Sequence, residues 1–124
     1  MAAFHRASGG IGTIALYRVD NPTACGLVEM AEDRRIVRFV EKPRPEEVFT
    51  DLANSGVYIL EPEILDFIPA GRFYDFGRDL FPDLLEQGAS LVGYPIPDSA
   101  ILIDIGSPES YQQAQREWAG LFHR

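Results

Sequence analysis

The sequence predicts an α/β fold, a mixed sheet with flanking helices, in one domain over residues 1–124. Three observations carry that prediction. Short β-branched runs of strand length recur along the chain, amphipathic helical stretches separate the later ones, and a hairpin interrupts the alternation, so the sheet should be mixed rather than all parallel.

The totals agree with a folded domain. With 46% hydrophobic and 24% charged residues in 124, the chain has enough apolar surface to bury a core. A net charge of -8, with no basic run longer than Arg34-Arg35, argues against general nucleic-acid binding, which relies on surplus cations. No apolar run approaches the roughly 20 residues of a membrane span, and the opening MAAFHRASGG lacks the apolar core of a signal peptide. The lone Cys25 has no disulfide partner, which fits a reducing cytoplasm.

Each element follows from its residues. Residues 1–10 are polar and Gly-rich, and IGTIALYRV (11–19) is a buried strand ended by the turn Asp20-Asn21-Pro22-Thr23. GLVEM (26–30) and RIVRFVE (35–41) form a hairpin across the polar AEDR loop. Pro43 and Pro45 forbid further ladder pairing, so Glu41 and Lys42 stand where a strand gives way to a loop, a common position for binding residues. LANSGVYIL (52–60) is a strand, and EPEILDFI (61–68) is a short helix with Pro62 in its first turn, closed by Gly71. RDLFPDLLEQG (78–88) places Leu80, Phe81, Leu84 and Leu85 on one helical face, with Pro82 in the first turns and Gly88 as C-terminal cap. SLVGYPI (90–96) and AILIDIG (100–106) are strand candidates. Ser107-Pro108-Glu109 opens a last helix over 108–121, with a hydroxyl N-cap, Pro at the first position and an acid in the first turn.

The basic residues are uneven: Lys42 is the only lysine beside ten arginines. Codon bias in a high-GC genome would account for the arginines but not for the exception. Lysine is a compact point charge suited to a phosphate oxygen. On residue chemistry alone, however, each polar candidate has a local alternative. Lys42 can be a solvated strand-end charge, Asp104 a turn residue before the Ser107 cap, Gly26 a hairpin bulge and Asn54 an Asx turn. Tyr58, Phe76, Phe81 and Tyr111 read as core, Cys25 as a buried inert thiol, and His5 and His123 receive no role.

Four motifs then stand in order: TACGLVE (23–29), FVEKP (39–43), ANSGVYIL (53–60) and LIDIGSPESY (102–111), with FGRDLFPDLLEQG (76–88) between the last two. Together they resemble the second half of the sugar nucleotidylyltransferases, especially the mannose-1-phosphate guanylyltransferase type, from about His5 to Ala114. The resemblance implies the second half of a Rossmann-like nucleotide-diphospho-sugar transferase fold. It also implies a reaction in which a sugar 1-phosphate attacks the α-phosphate of an NTP, assisted by Mg²⁺, giving an NDP-sugar and pyrophosphate. On that resemblance Lys42 grips the sugar phosphate, Glu41 and Asn54 meet sugar hydroxyls, the Gly26 backbone approaches the sugar, and Asp104 is one of two metal-holding aspartates.

The family's G-x-G-T-R-x-x-P-x-T triphosphate loop has no counterpart here, because GGIGT (9–13) runs directly into an apolar strand. Also missing are the base-reading residues and the first metal aspartate. Ile101-Leu102 replaces an aromatic pair and Ser107 the commoner Thr. The expectation is therefore the sugar-phosphate half of a GDP-mannose-type enzyme, inactive alone and prone to self-association into a homo-oligomer. The alternative is a noncatalytic sugar-phosphate-binding or oligomerisation module.

Overall fold

In the computed structural model, which describes residues 1–122, the hairpin is β2 (Gly26–Met30) against β3 (Ile36–Glu41). Its loop closes through Ala31 N–H to Arg35 O at 2.8 Å, with Arg34 at φ +68°. The other strands are β1 (Gly12–Arg18), β4 (Leu52–Leu60) and β5 (Leu91–Pro95). Their order is β3-β2-β4-β1-β5, with β1 and β5 parallel and the remaining pairs antiparallel, so the sheet is mixed as expected.

One face of this sheet makes the core. Ile14 and Leu16, two apart on β1, join Val28, Ile36 and Phe39 from the hairpin, and Leu80, Phe81 and Leu84 cover them. The cover is α2 (Phe81–Glu86), preceded by a single π-helical turn, Phe76–Leu80. The sequence reading of one helix over 78–88 therefore needs correction. Pro82 has no N–H and its ring crowds the carbonyl four residues back, so a regular α-helix cannot run through it from 78. The preceding turn widens instead, with Phe81 N–H bonded to Phe76 O and Asp75 capping Arg78 N–H at 2.8 Å. Gly88, at φ +75°, ends α2 as anticipated: Ala89 N–H reaches Leu84 O and Gly88 N–H reaches Leu85 O, a Schellman motif.

Two further segments, 1–10 and 100–106, differ from the sequence reading. Residues 1–10 contain α1 (Ala2–Ser8), two turns of helix-favouring Ala and Arg ended by Gly9 at φ +68°. The short helix read at 61–68 forms over Pro62–Phe67, as a 3₁₀ helix. Residues 100–106 make no strand. After Ile96 N–H bonds Leu16 O, Pro97 and Ala100 turn the chain off the sheet, and among the described residues no strand lies alongside it. Ile101, Leu102 and Ile105 are consequently exposed. The last helix, α3 (Pro108–Phe122), begins as read, with Ser107 Oγ accepting from Ser110 N–H at 3.1 Å. Tyr111 on it is 50% exposed and is not core.

His5 has a structural role the sequence did not disclose; His123 lies outside the described residues. Buried on α1, His5 joins two other elements through Nδ1 to Thr13 Oγ1 at 2.7 Å and Nε2 to Glu61 Oε1 at 2.8 Å. A carboxylate only accepts, so Nε2 carries the proton shared with Glu61. Thr13 is fully buried, and the ring satisfies its hydroxyl.

Candidate functional site

The β2–β3 register pairs Gly26 with Glu41, and Lys42 N–H extends the ladder to Cys25 O at 3.0 Å. Here the chain bends sharply. Lys42 has φ +43°, a left-handed conformation disfavoured for any residue with a Cβ, and the next residue, Pro43, is buried. Backbone strain of this kind persists where surrounding structure enforces it, and it concentrates at functional positions.

The hairpin shows no bulge at Gly26; its register irregularity lies between Glu29 and Met30. Gly26 is required instead by close approach, because a Cβ there would come within 2.7 Å of Glu41 Oε2 and 2.9 Å of Phe39 Cζ.

Asn54 sits at a wide bulge of β4, where Ser55, Gly56 and Val57 lie between the partners of Ile14 and Leu16. Its Oδ1 accepts from Gly56 N–H at 2.8 Å, the Asx turn that residue chemistry allowed, with Gly56 at φ +82°. Its Nδ2 donates to Tyr58 Oη at 2.8 Å. An amide nitrogen has two hydrogens, so one N–H remains for a further acceptor. Tyr58 was read as core, and its ring does pack on Phe81 and Phe76, centroids 5.1 and 6.1 Å away. Its hydroxyl nevertheless holds Asn54, so it links core to site.

Asp104 lies on the irregular segment after β5 and accepts from Gly106 N–H at 2.9 Å. Distant in sequence, Gly26, Glu41, Asn54 and Asp104 line one cleft of about 660 Å³, together with Tyr17, Cys25 and Leu102. Lys42 is exposed and follows Glu41 directly, outside the cleft wall. Cys25 is half-buried and lines the cleft, so it is not the fully buried thiol expected. Burial, then Cys25 and Asp104, push the Tyr17 hydroxyl up from its ordinary pKa.

Glu41 is electrostatically set apart. Burial is the main cause that pushes its carboxyl above the ordinary glutamate range, and Asp75 adds to it, while Lys42 and Arg78 pull the other way. The sign of the resulting pH effect follows from proton binding. The folded chain binds this proton more tightly than the unfolded chain, so Glu41 makes stability fall as pH rises from the ordinary glutamate range through the raised value. Glu41→Gln should therefore gain stability relative to the parent over that interval. Urea midpoints measured from pH 4 upward check it, and a difference independent of pH would contradict it.

Magnesium can be tested on the donor set. Among the described residues no three His, Cys, Asp or Glu side chains cluster to hold a metal, and Asp104 is a single carboxylate. These residues do not make a complete Mg²⁺ site, although Mg²⁺ is often held by one or two carboxylates with substrate phosphates. GGIGT is no phosphate loop either. Gly10 N–H bonds Ser8 Oγ, Ile11 N–H bonds Ser90 O, and a Cβ on Gly10 would lie 2.9 Å from Ser90 O.

The sequence reading assigned no chemistry to Gly77 or Asp75, which stand against Glu41. The FGRD stretch inside FGRDLFPDLLEQG was the available signal.

The chain is similar to known proteins. The family model described as "Nucleotidyl transferase" matches residues 1–119. The chain is 40% identical over 114 residues to a UTP–glucose-1-phosphate uridylyltransferase of Synechocystis, covering 90% of this chain and 29% of that protein. It is 38% identical over 108 residues to a mannose-1-phosphate guanylyltransferase of Mycobacterium tuberculosis, covering 87% and 29%. A Bacillus anthracis crystal structure described as a glucose-1-phosphate thymidylyltransferase in complex with a sucrose superposes with TM-score 0.73 at 21% identity, over 93% of this chain and 46% of that one. At that identity the likeness shows the fold, which is Rossmann-like. The chain thus spans about three-tenths of the length of the curated relatives it matches (29%). With nearly all of its residues under the family model, the chain belongs to the nucleotidyl transferase family.

Proposed function

We propose that the cleft binds the sugar 1-phosphate of a nucleotidylyltransferase reaction, and that these residues are the sugar-phosphate half of its active site. In that reaction the sugar phosphate attacks the α-phosphate of an NTP, giving an NDP-sugar and pyrophosphate. One observation carries the reading: Gly26, Glu41, Asn54 and Asp104 line a single cleft, and the strained Lys42 follows Glu41 at the end of β3.

In this assignment Lys42 places a point charge on the phosphate. Glu41 accepts from sugar hydroxyls, and the remaining Asn54 N–H donates to another. Gly26 lines the cleft beside Glu41, and its backbone is what approaches the sugar. Phosphoryl transfer depends on positioning and charge neutralisation more than on covalent help, and these residues supply positioning for one reactant. Asp104 would offer one carboxylate toward Mg²⁺, with substrate phosphates among the other donors. The bound ion would neutralise phosphate charge. Mannose 1-phosphate and GTP are the substrates we assign, supported by the order of the motifs and by the 38% identical guanylyltransferase.

No triphosphate loop is present in the sequence, so this chain alone should release no pyrophosphate from mannose or glucose 1-phosphate with GTP, UTP or dTTP and Mg²⁺. Robust turnover would overturn the division of labour. A noncatalytic module that self-associates is the competing reading. It is favoured by an exposed apolar groove of about 370 Å³ lined by Ile101, Ile105, Tyr111, Trp118 and Leu121.

A further inference from the structure

Gly77 is the second residue of the π-helical turn and is buried. Its φ lies outside the left-handed region, so its backbone does not demand glycine. What excludes a side chain is Glu41: a Cβ at 77 would overlap Glu41 Oε2 and come within 3.0 Å of its Cδ, whereas Asp75 Oδ1, at 3.5 Å, is in ordinary contact. On the other side, a Cβ at Gly26 would meet the same Oε2 at 2.7 Å. The Glu41 carboxylate is therefore seated in a slot between two glycines, one from β2 and one from the turn before α2.

The core sets the slot's second wall. Phe76 packs on Tyr58 and Phe81, and Asp75 caps the turn through Arg78 N–H, so Gly77 is held in place on both sides. The turn's extra residue is a local departure from α-helical spacing of a kind that recurs near functional sites.

We propose that Gly77 is a positioning residue for the cleft: its missing side chain lets the Glu41 carboxylate stay seated facing the ligand, and a methyl at 77 expels it while the fold survives. This inference rests on the reading of Glu41 as the acceptor of sugar hydroxyls. The two glycines differ as probes. Alanine at 26 would also strike the Phe39 ring at 2.9 Å and disturb the core, but alanine at 77 conflicts only with the tip of a flexible side chain.

The experiment compares Gly77→Ala in the parent chain and in a Glu41→Ala background. Carbon-detected NMR of the Glu41 carboxyl should show its titration midpoint moving down toward that of an ordinary glutamate in Gly77→Ala, because the group leaves its buried seat. The urea midpoint should fall in Gly77→Ala but stay unchanged when the same substitution is made in Glu41→Ala, where nothing is left to overlap. Affinity for mannose 1-phosphate should drop at least tenfold in Gly77→Ala and be insensitive to residue 77 once Glu41 is gone. An unmoved Glu41 titration, or equal destabilisation in both backgrounds, would overturn the proposal. If Gly77→Ala fails to fold, a folded double variant supports the slot and an unfolded one refutes it. If the parent chain does not bind mannose 1-phosphate, the substrate reading fails, and the carboxyl titration still decides the slot.

Discussion

Lys42→Ala should lower the proposed affinity of the chain for mannose 1-phosphate about ten- to a hundredfold while leaving the fold intact. A hydrogen bond to a charged group contributes about 1.5–3 kcal/mol, which sets that range. The side chain is exposed, so its removal opens no cavity. Lys42→Arg should also weaken binding, because a planar fork replaces a compact charge. The backbone supplies a separate check. At φ +43° the lysine is held in a conformation that favours glycine, so Lys42→Gly should stabilise the chain by up to about 1 kcal/mol even as it abolishes the phosphate contact. Calorimetric titration and urea denaturation read the two effects independently. Affinity unchanged in Lys42→Ala would make Lys42 an ordinary surface residue.

Phe81→Ala should give the largest loss of stability, about 3–5 kcal/mol. The ring is fully buried and lies 5.4 Å from Phe39, 5.1 Å from Tyr58 and 5.9 Å from Phe76, centroid to centroid. Domains of this size are stable by about 5–15 kcal/mol, so the variant would stand near its unfolding threshold at room temperature. The damage should also reach the cleft. Tyr58 carries the hydroxyl that holds Asn54, and Phe76 precedes Gly77, so both lose a packing neighbour with the ring. A shift in urea stability below about 1 kcal/mol would show that the aromatic cluster does not organise this core.

Where a pattern was local, it was legible in the sequence. The hairpin, the Gly88 cap and the Ser107 cap each depend on residues within a few positions, and all form as read. What depends on tertiary partners was not. AILIDIG has strand composition, yet pairing needs a neighbour, and the turn from Pro97 to Ala100 leads the chain off the sheet before one is met among the described residues. The polar look of residues 1–10 hid a helix anchored by a buried histidine whose partners lie 8 and 56 positions away. Site residues show the same division. Gly26, Glu41, Asn54 and Asp104 were named from motifs and meet in one cleft. Gly77 escaped because its constraint is a contact with Glu41, which no spacing within FGRD reveals.

If this cleft receives a sugar 1-phosphate, the ligand should mark its lining residues. Amide NMR of the chain titrated with mannose 1-phosphate reads this out residue by residue. Saturable shifts are expected at Gly26, Lys42, Asn54 and Asp104, with the α1–β5 side around Ser8 and Val92 undisturbed. Absence of shifts at the cleft up to millimolar ligand, or shifts centred elsewhere, would contradict that reading.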